Sequence, residues 1–277
     1  MSQFILSAFA DEISPDPLVQ LEVLSRSAIS YLELRSIYNT NILTLSDFQI
    51  TEFRKMLNDF GIQVSAIASP IGKIPLDDPF DIHLEKFRRA IELCVFFSVD
   101  SIRVFSFYPP RTGGDWLINR GHVLERIGTL IDLATQSGLR LFHENEHNIY
   151  GDSPERVADL LNYFPGEALS FAYDAANFVF CGYCPWAGWL KCRSRVRHLH
   201  IKDWKVGDTH GVIAGSGDGR WAEVLSDASS FGYQGFATLE PHLLGGGPTG
   251  GVTGEELFPL AVSAAKELIS VAQSKAY

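Results

Sequence analysis

The chain has 277 residues, of which 46% are hydrophobic and 12% aromatic, and this is enough to bury a large core. Its formal charge of −10 argues against a protein that binds a nucleic-acid backbone, because such proteins usually carry the opposite charge. Four cysteines are too few for a disulfide scaffold of this size. No apolar run reaches the roughly 18 to 20 residues that span a bilayer. The short apolar start lacks the basic residues of a signal peptide, so we expect a cytoplasmic protein without a membrane partner.

Short apolar runs alternate with helical patterns along the whole chain. The apolar runs are four to seven residues long and usually end at glycine, proline or an acidic residue, as buried strands do. The predicted strands, in chain order, span 4–10, 31–35, 63–69, 101–107, 139–145, 169–174, 198–203 and 236–240.

The segments between these strands have apolar residues at helical spacing. Several start at proline or a small polar cap, and several end at glycine. The predicted helices span 15–25, 46–60, 81–97, 118–137, a segment starting at 152–155, a short helix within 177–194, 221–230 and 255–274. Eight strand-then-helix units without a linker predict a (β/α)8 TIM barrel that forms one domain over 1–277. No GxGxxG follows the first strand, which weakens the open dinucleotide-binding alternative.

The stretch His198-Leu-His-Ile-Lys-Asp203 has an unusual pattern for a strand. Alternation places His198, His200 and Lys202 on one face and two aliphatic side chains on the other. Buried imidazoles and ammonium groups are unfavourable unless they are paired or bound to a ligand. The alternative is a pair of hydrogen-bonded core histidines beside a solvated lysine.

Acidic residues stand at the ends of the neighbouring strands. Glu144, Asp174 and Glu240 end the fifth, sixth and eighth strands, and His200 lies on the seventh. In a TIM barrel these ends form the active-site mouth. Carboxylates packed this closely repel one another unless a cation neutralises them. Three oxygen ligands and one nitrogen ligand suit one divalent metal ion, with Mn²⁺ as the first expectation and Mg²⁺, Co²⁺ or Zn²⁺ as alternatives. Four unrelated residues, with the acids capping the next helices, are the other interpretation.

Four segments carry a resemblance to a known group: Glu144-Asn145, Asp174-Ala-Ala-Asn177, His200-Ile-Lys-Asp203 and Glu240. They resemble the motifs of the xylose isomerase-like TIM-barrel superfamily, and the resemblance covers essentially the whole chain. This group includes sugar and sugar phosphate isomerases and epimerases, inosose dehydratases and endonuclease IV.

The resemblance implies a mononuclear metal held by Glu144, Asp174, His200 and Glu240. In the ketose 3-epimerase branch, which it resembles, Glu144 and Glu240 are also the catalytic acid and base that move a proton through an enediolate. We therefore expect an isomerase or epimerase of a small sugar or polyol; a homo-oligomer is left open. A dehydratase of the inosose or dehydroshikimate type and a non-catalytic sugar-binding barrel are the alternatives.

The nuclease branch fits less well, because it carries additional histidines on the third and fourth strands and after the sixth-strand aspartate. This chain has Ala68-Ser-Pro70, Phe105-Ser-Phe107 and Asn177 at those places. The negative charge points the same way, so we expect no nucleic-acid partner.

Further side chains are candidates for substrate contact: Glu33, Arg35, Lys73, Asn177, Lys202 and Trp204. Glu33 and Arg35 share a strand face and could instead form an internal ion pair. Lys73 could hold a hydroxyl or a phosphate, or be a solvated loop lysine. Lys202 could polarise a carbonyl, as the resemblance suggests, or pair with Asp203.

Other polar and aromatic residues have two interpretations each. Arg103 is expected on the barrel floor, with a substrate clamp as the alternative. His147 is expected on the surface. Trp116, Trp186 and Trp204 lie in loops of the mouth and could stack on a sugar ring or pack within a lid.

Two short motifs resemble well-known sites only loosely. Cys181-Gly-Tyr-Cys184 has redox spacing but follows the sixth strand, and no second CxxC completes a zinc site. Gly215-Ser-Gly-Asp-Gly219 lacks the lysine of a phosphate-binding loop.

Overall fold

A computed structural model describes residues 3–247 and 249–275. Within this part of the chain, eight parallel strands form the walls of a nearly closed barrel. They are β1 Gln3–Ala8, β2 Tyr31–Leu34, β3 Gln63–Ile67, β4 Ser101–Val104, β5 Arg140–Glu144, β6 Leu169–Asp174, β7 Val196–Ile201 and β8 Gln234–Leu239. The predicted (β/α)8 barrel is therefore confirmed.

Helices follow the strands on the outside of the barrel. They are α1 Pro17–Arg26, α2 Asp47–Phe60, α3 Phe80–Phe97, α4 Trp116–Gln136, α5 Pro154–Tyr163, α6 Ala175–Phe180, α7 Pro185–Cys192, α8 Trp221–Ser230 and α9 Phe258–Ser274. A short hairpin joins Ser36–Ile37 to Thr40–Asn41 after β2. In the described residues, no helix is long and apolar enough to cross a membrane.

The order of the strands around the barrel is β1-β8-β7-β6-β5-β4-β3-β2. β1 and β2 are the two ends of this sheet and lie next to each other without a hydrogen-bonded ladder in the described residues. The strand register determines which residues lie side by side at the carboxyl ends of the strands. His200 of β7 pairs with Asp174 of β6 on one side and with Thr238 of β8 on the other.

Side chains alternate along each strand. One set points into the apolar core between the sheet and the helices, and the other points to the inside of the barrel. On β7, Leu199 and Ile201 pack into the apolar core between the sheet and the helices. His198 faces the inside of the barrel, where its ring stacks on Phe142 with centroids 4.7 Å apart. The split predicted for this stretch is thus present, and it leaves polar side chains inside the barrel.

Local sequence signals explain where the helices begin and end. The Ser46 hydroxyl accepts from the backbone N–H of Gln49 in a capping box at the start of α2. Gly61 ends the same helix in the left-handed conformation, with φ 65°. Both boundaries agree with the prediction from the sequence.

Several predicted segments extend beyond the observed elements. β1 ends at Ala8 and β3 at Ile67, each two residues before the predicted end, and α1 begins at Pro17 rather than at residue 15. β4 ends at Val104 rather than at residue 107, because Phe105 and Phe107 donate their backbone N–H groups to Ile71 and Gly72 instead of to a neighbouring strand. β7 ends at Ile201, so Lys202 and Asp203 lie just beyond it. The last helix begins at Phe258 rather than at residue 255.

Candidate metal centre

Four acidic and imidazole side chains meet at the carboxyl ends of adjacent strands. Glu144 and Asp174 are the last residues of β5 and β6, His200 is next to last in β7, and Glu240 directly follows β8. All four are buried, with exposed fractions between 0% and 4%. Each offers one ligand atom within 4.8 Å of the ligand atoms of the others. The structure therefore brings together the four residues that the sequence predicts as metal ligands.

Glu33, which lies inside the barrel, fixes the orientation of the His200 ring. Its Nε2 donates to Glu33 Oε2 at 3.2 Å. Its Nδ1 lies 3.1 Å from Glu144 Oε1 and 3.8 Å from Glu240 Oε2. With the hydrogen on Nε2, the Nδ1 lone pair is left for a cation among the carboxylates, as is usual when a second residue holds a ligating histidine.

Each of the four side chains has one buried atom that makes no hydrogen bond in the described structure. These atoms are Glu144 Oε2, Asp174 Oδ2, His200 Nδ1 and Glu240 Oε2. Two of these atoms, Asp174 Oδ2 and Glu144 Oε2, instead have a lysine or arginine ion-pair partner within 3.1 Å. Buried polar atoms without a hydrogen bond are rare, and a missing ion is one reason for them. Three carboxylate oxygens and one imidazole nitrogen suit Mn²⁺, Mg²⁺, Co²⁺ or Zn²⁺. The residues thus fit a divalent metal ion, and the donor set does not choose between these metals.

Each carboxylate also has its own cationic neighbour. Lys202 Nζ lies 2.8 Å from Asp174 Oδ2. Arg103 Nη1 lies 3.1 Å from Glu144 Oε2, and Arg35 Nη1 lies 2.7 Å from Glu240 Oε1. The two glutamates are therefore held by two arginines, one on β4 and one that directly follows β2.

The pKa shifts show that this site favours a positive charge. Burial lowers the pKa of His200, but the carboxylates of Glu144 and Glu33 outweigh it and raise this pKa to about 10. Burial raises the pKa of Asp174 to about 6, and Lys202 offsets only part of this effect. A divalent cation would supply the charge that a proton on His200 otherwise provides.

The two glutamates have pKa values below their ordinary range. Burial acts to raise the pKa of Glu144, but His200 and Arg103 outweigh it. The same balance holds for Glu240, where Lys202 is the strongest of the cations that lower its pKa. Both side chains are therefore carboxylates near neutral pH, as a metal ligand or a general base must be.

Two asparagines hold the ends of β5 and β6 together. Asn145 donates to the carbonyl of Asp174 and accepts from its backbone N–H. Asn177 donates to the carbonyl of Asn145 at 2.8 Å and lies 3.5 Å from Glu144 Oε1. Asn177 was predicted to contact the substrate, but it is not on the wall of the described cavity, and its side chain bonds Asn145 instead.

A cavity of about 220 Å³ opens onto the candidate metal centre. Its wall contains three of the six predicted contact residues (Arg35, Lys73 and Lys202). The full lining is Arg35, Asn41, Ala68, Pro70, Lys73, Arg103, Glu144, Glu146, Lys202, Glu240, His242, Thr249 and Gly250. Arg103 was expected on the barrel floor, but it lies on this wall beside Glu144.

Glu33 is not part of the cavity wall. It is fully buried inside the barrel, with Oε2 2.7 Å from His198 Nε2 and 3.2 Å from His200 Nε2. His198 also shares a 2.7 Å hydrogen bond with Thr238. The expected ion-pair alternative describes Glu33 better than substrate contact does, although its partners are histidines and not Arg35.

Two lysine side chains have partners that the sequence did not indicate. Lys202 pairs with Asp174 rather than with Asp203. Lys73 lies at the rim of the cavity, 2.9 Å from Glu146 Oε2, and its ammonium is 4.2 Å from the Phe105 ring centroid. Both ammonium groups remain on the wall of the cavity.

The aromatic side chains of the mouth pack against one another. Trp204 makes an edge contact with Phe180, and Trp116 makes one with Tyr150. Trp186 lies under the guanidinium of Arg220. None of these tryptophans is on the wall of the described cavity, so Trp204 is not placed to contact a small ligand there.

The loosely matching motifs have structural roles or none. All four cysteines are free, with Cys181 half-buried and Cys184 exposed. The glycine-rich loop 215–219 directs its N–H groups at the carboxylate of Asp203 rather than at a phosphate. His147 is exposed, as expected, and its Nδ1 contacts Glu146 at 2.7 Å.

Sequence reasoning missed Glu12 and His242. His242 lies on the cavity wall, and its Nδ1 is 2.9 Å from Glu12 Oε1. Asp11, also missed, binds Arg35 at 2.8 Å. Glu12 follows the first strand in sequence, so the rule that strand ends form the mouth would have pointed to it.

Comparisons with known proteins agree with this fold. The chain is similar to a xylose isomerase-like TIM-barrel protein from Mycobacterium smegmatis in complex with magnesium, with 17% identity over 100% of this chain and 98% of that chain and a TM-score of 0.75. It is similar to a probable 3-DHS dehydratase of petrobactin synthesis from Bacillus anthracis, with 17% identity, coverage of 96% and 99%, and a TM-score of 0.73.

A third similar structure is D-psicose 3-epimerase with D-tagatose from Clostridium cellulolyticum H10, with 14% identity, coverage of 99% of both chains and a TM-score of 0.70. Such identities show a shared fold alone. Among curated proteins, none matches the sequence significantly. The family model described as "Xylose isomerase-like TIM barrel" matches residues 22–257. The chain therefore belongs to the xylose isomerase-like TIM-barrel family.

Proposed function

We propose that this protein is a divalent-metal-dependent isomerase or epimerase that moves a proton on a carbon next to the carbonyl of a sugar or sugar phosphate. The observation that carries the proposal is the pair Glu144 and Glu240 on one cavity. The two residues stand at the ends of β5 and β8, with β6 and β7 between them in the sheet. They therefore reach a ligand in the mouth from different sides.

Glu144, Asp174, His200 Nδ1 and Glu240 would hold the metal. When bound, the metal would supply Lewis-acid chemistry, which lowers the pKa of a carbon acid and stabilises an oxyanion. The magnesium complex of the Mycobacterium smegmatis protein supports a divalent ion in this fold.

The two glutamates divide the proton transfer between them. One glutamate, as the carboxylate, takes the proton from one face of the substrate carbon, which gives an enediolate. The other glutamate, after it has gained a proton from solvent, returns that proton to the opposite face. Because both pKa values lie below the ordinary range, each group is ionised in the free protein and either one can act as the base. The contacts with Arg103 and Arg35 hold both groups in place.

Lys202 is the residue best placed to stabilise charge on the substrate. Its ammonium lies on the cavity wall, 2.8 Å from Asp174 and 3.5 Å from Glu240. Burial acts to lower its pKa, but Asp174 and Glu240 outweigh this and raise it above the ordinary value. A permanently charged donor in a buried site stabilises the oxygen of an enediolate.

A dehydratase is the second candidate, supported by the similarity to the probable 3-DHS dehydratase. It would use the same proton abstraction and then expel a β-hydroxyl group. The reaction therefore differs after the enediolate, and the product distinguishes the two classes. A sugar-binding barrel without turnover is the third outcome to test.

The test is solvent exchange in D₂O with the Mn²⁺-loaded protein and a panel of ketopentoses, ketohexoses, their phosphates and inososes. Epimerase or isomerase activity would give a product of unchanged formula that carries one deuterium. Loss of water and a product that absorbs as a conjugated enone would instead assign the dehydratase. Metal binding without exchange on any member of the panel would contradict both enzymatic proposals. Glu167→Gln, on the exposed surface, is the matched control.

A further inference from the structure

His242 lies on the wall of the cavity but outside the proposed ligand set. Its Nδ1 faces two acceptors, Glu12 Oε1 at 2.9 Å and the carbonyl oxygen of Glu240 at 3.2 Å. The hydrogen-bond geometry is better with the carbonyl, but both neighbours require a hydrogen on Nδ1. Nε2 makes no hydrogen bond with the part of the chain that the structure describes. One polar atom of this ring is therefore left for a ligand.

Glu12 is itself fixed in place. It is fully buried, and its Oε2 accepts from the backbone N–H of His242 at 2.9 Å and from the Thr253 hydroxyl at 2.8 Å. The carboxylate thus binds both the backbone and the ring of the same histidine. This double contact sets the ring angle, much as a carboxylate orients a histidine in other sites.

The backbone at His242 is unusual. Its φ of +53° lies in the left-handed region, which is uncommon for residues other than glycine, although histidine adopts it more often than most of them. Gly251 packs against the ring, since a Cβ at that position would lie 2.3 Å from His242 Cγ and Nδ1. Strain of this kind persists when the surroundings hold a residue in place, and it is common where a side chain meets a ligand.

A second metal ion does not explain this group. Glu12, Glu240 and His242 could in principle form a ligand set. The guanidinium of Arg35 already lies between the carboxylates, 2.7 Å from Glu240 Oε1 and 3.7 Å from Glu12 Oε1. A cation is therefore present where a second ion would have to bind.

We propose that His242 Nε2 hydrogen-bonds a hydroxyl group of the substrate away from the reacting carbon, with Glu12 as the positioning residue that holds the ring. A hydroxyl group fits because it can donate or accept, whichever Nε2 requires. The inference rests on the proposed function and deepens it, because it makes His242 a residue that selects among polyhydroxylated substrates.

Two substitutions at His242 distinguish the contribution of its Nδ1 atom from that of its Nε2 atom. His242→Asn keeps a polar group near the Nδ1 position, loses the one at Nε2, and suits the left-handed backbone. His242→Gln reaches as far as Nε2. With the best substrate of the panel, we expect His242→Asn to raise KM roughly tenfold or more with little change in kcat, and His242→Gln to restore part of the loss. Mn²⁺ affinity should stay within about twofold in both variants, because His242 is not a ligand.

Deoxy analogues of the same substrate then identify the hydroxyl. For the wild-type protein, removal of the contacted hydroxyl should lower kcat/KM roughly tenfold or more. For His242→Asn, removal of the same hydroxyl should have almost no further effect, since the partner is already gone. Glu12→Gln should weaken this dependence, and the other deoxy analogues serve as controls.

Equal sensitivity of the wild-type protein and His242→Asn to every deoxy analogue would overturn the inference and leave the proposed function intact. A wild-type protein that neither binds nor turns over any sugar of the panel would overturn the proposed function, and the inference would fall with it. A loss of Mn²⁺ binding in His242→Asn would also overturn it, because the residue would then belong to the metal centre.

Discussion

Asp174 and Asp203 are two buried aspartates at neighbouring strand ends, and they differ in how their oxygens are satisfied. Asp203 accepts four backbone N–H groups: those of Trp204 and Gly219 on Oδ1, and those of Gly215 and Gly217 on Oδ2. Asp174 accepts one, from Asn177 on Oδ1, and its Oδ2 has no hydrogen bond of good geometry in the described structure.

This difference separates a structural carboxylate from one that is open to a ligand. The loop 204–219 folds around Asp203, and its glycines allow this approach, since a Cβ at Gly217 would lie 2.4 Å from Asp203 Oδ1. Asp174 instead has Lys202 as its partner and three further metal-ligand candidates around it. Burial and residue type are the same in both cases, so the count of filled acceptor sites is the informative quantity.

The largest effect on activity is expected for Glu144 and Glu240, the two glutamates that are proposed to transfer the proton. Glu144→Gln and Glu240→Gln should each lower proton exchange by about 10²- to 10⁴-fold, the range for loss of a general acid or base. Exchange is measured by mass spectrometry in D₂O at saturating Mn²⁺. A variant that retains most of the activity would remove that glutamate from the acid–base role.

The two aspartates are compared directly by the same substitution. Asp174→Asn should weaken Mn²⁺ binding by at least about 100-fold, because a ligand contributes more than the residues that support it. Asp203→Asn should leave Mn²⁺ affinity nearly unchanged but lower the free energy of unfolding by about 1–3 kcal/mol, because an amide cannot accept four N–H groups equally well. Calorimetric titration and chemical denaturation measure the two effects. Similar metal losses in both variants would mean that filled acceptor sites do not distinguish the roles.

A substitution of Glu33 tests whether metal binding depends on the contact between Glu33 and the His200 ring. Glu33→Gln should weaken Mn²⁺ binding by about 10- to 100-fold, because the amide no longer holds the hydrogen of His200 on Nε2 as firmly. Thr238→Val, which removes a hydroxyl that contacts His198 rather than His200, is the matched control. An unchanged affinity in Glu33→Gln would show that His200 does not depend on this contact.

The pH dependence of metal binding has a predicted sign and shape. Metal binding must displace the proton of His200, whose pKa is raised to about 10, so affinity should rise by about tenfold per pH unit between roughly pH 6 and 9. Below about pH 6 the slope should steepen, because Asp174 then also carries a proton. Titrations in buffers of different ionisation enthalpy count the released protons. Asp203→Asn should show the same profile, and an affinity independent of pH would contradict this assignment.

Much of the mouth could be predicted because strand ends and alternation are local properties. Asp174 and Glu240 each follow an apolar run, and the rule for parallel barrels brings such ends together. The resemblance to the family implied the ligand set, which stays a prediction, and the matching family model confirmed the family membership.

The partners of these residues could not be predicted, since they depend on contacts between distant parts of the chain. Arg35 meets Glu240 across 205 positions, and His242 meets Glu12 across 230. Lys202 was paired with its neighbour Asp203 in one interpretation, but Lys202 contacts Asp174, and Asp203 accepts from the backbone of the loop that follows it. Adjacency in sequence indicated the wrong partner there, and only packing decides it.

The most direct test of the central claim is a crystal structure of the protein soaked in Mn²⁺, with anomalous scattering recorded at the manganese edge. We expect one strong peak bound by Glu144, Asp174, Glu240 and His200 Nδ1, with Asp203 still enclosed by its glycine loop. A peak elsewhere, or these four side chains separated around water alone, would contradict the account.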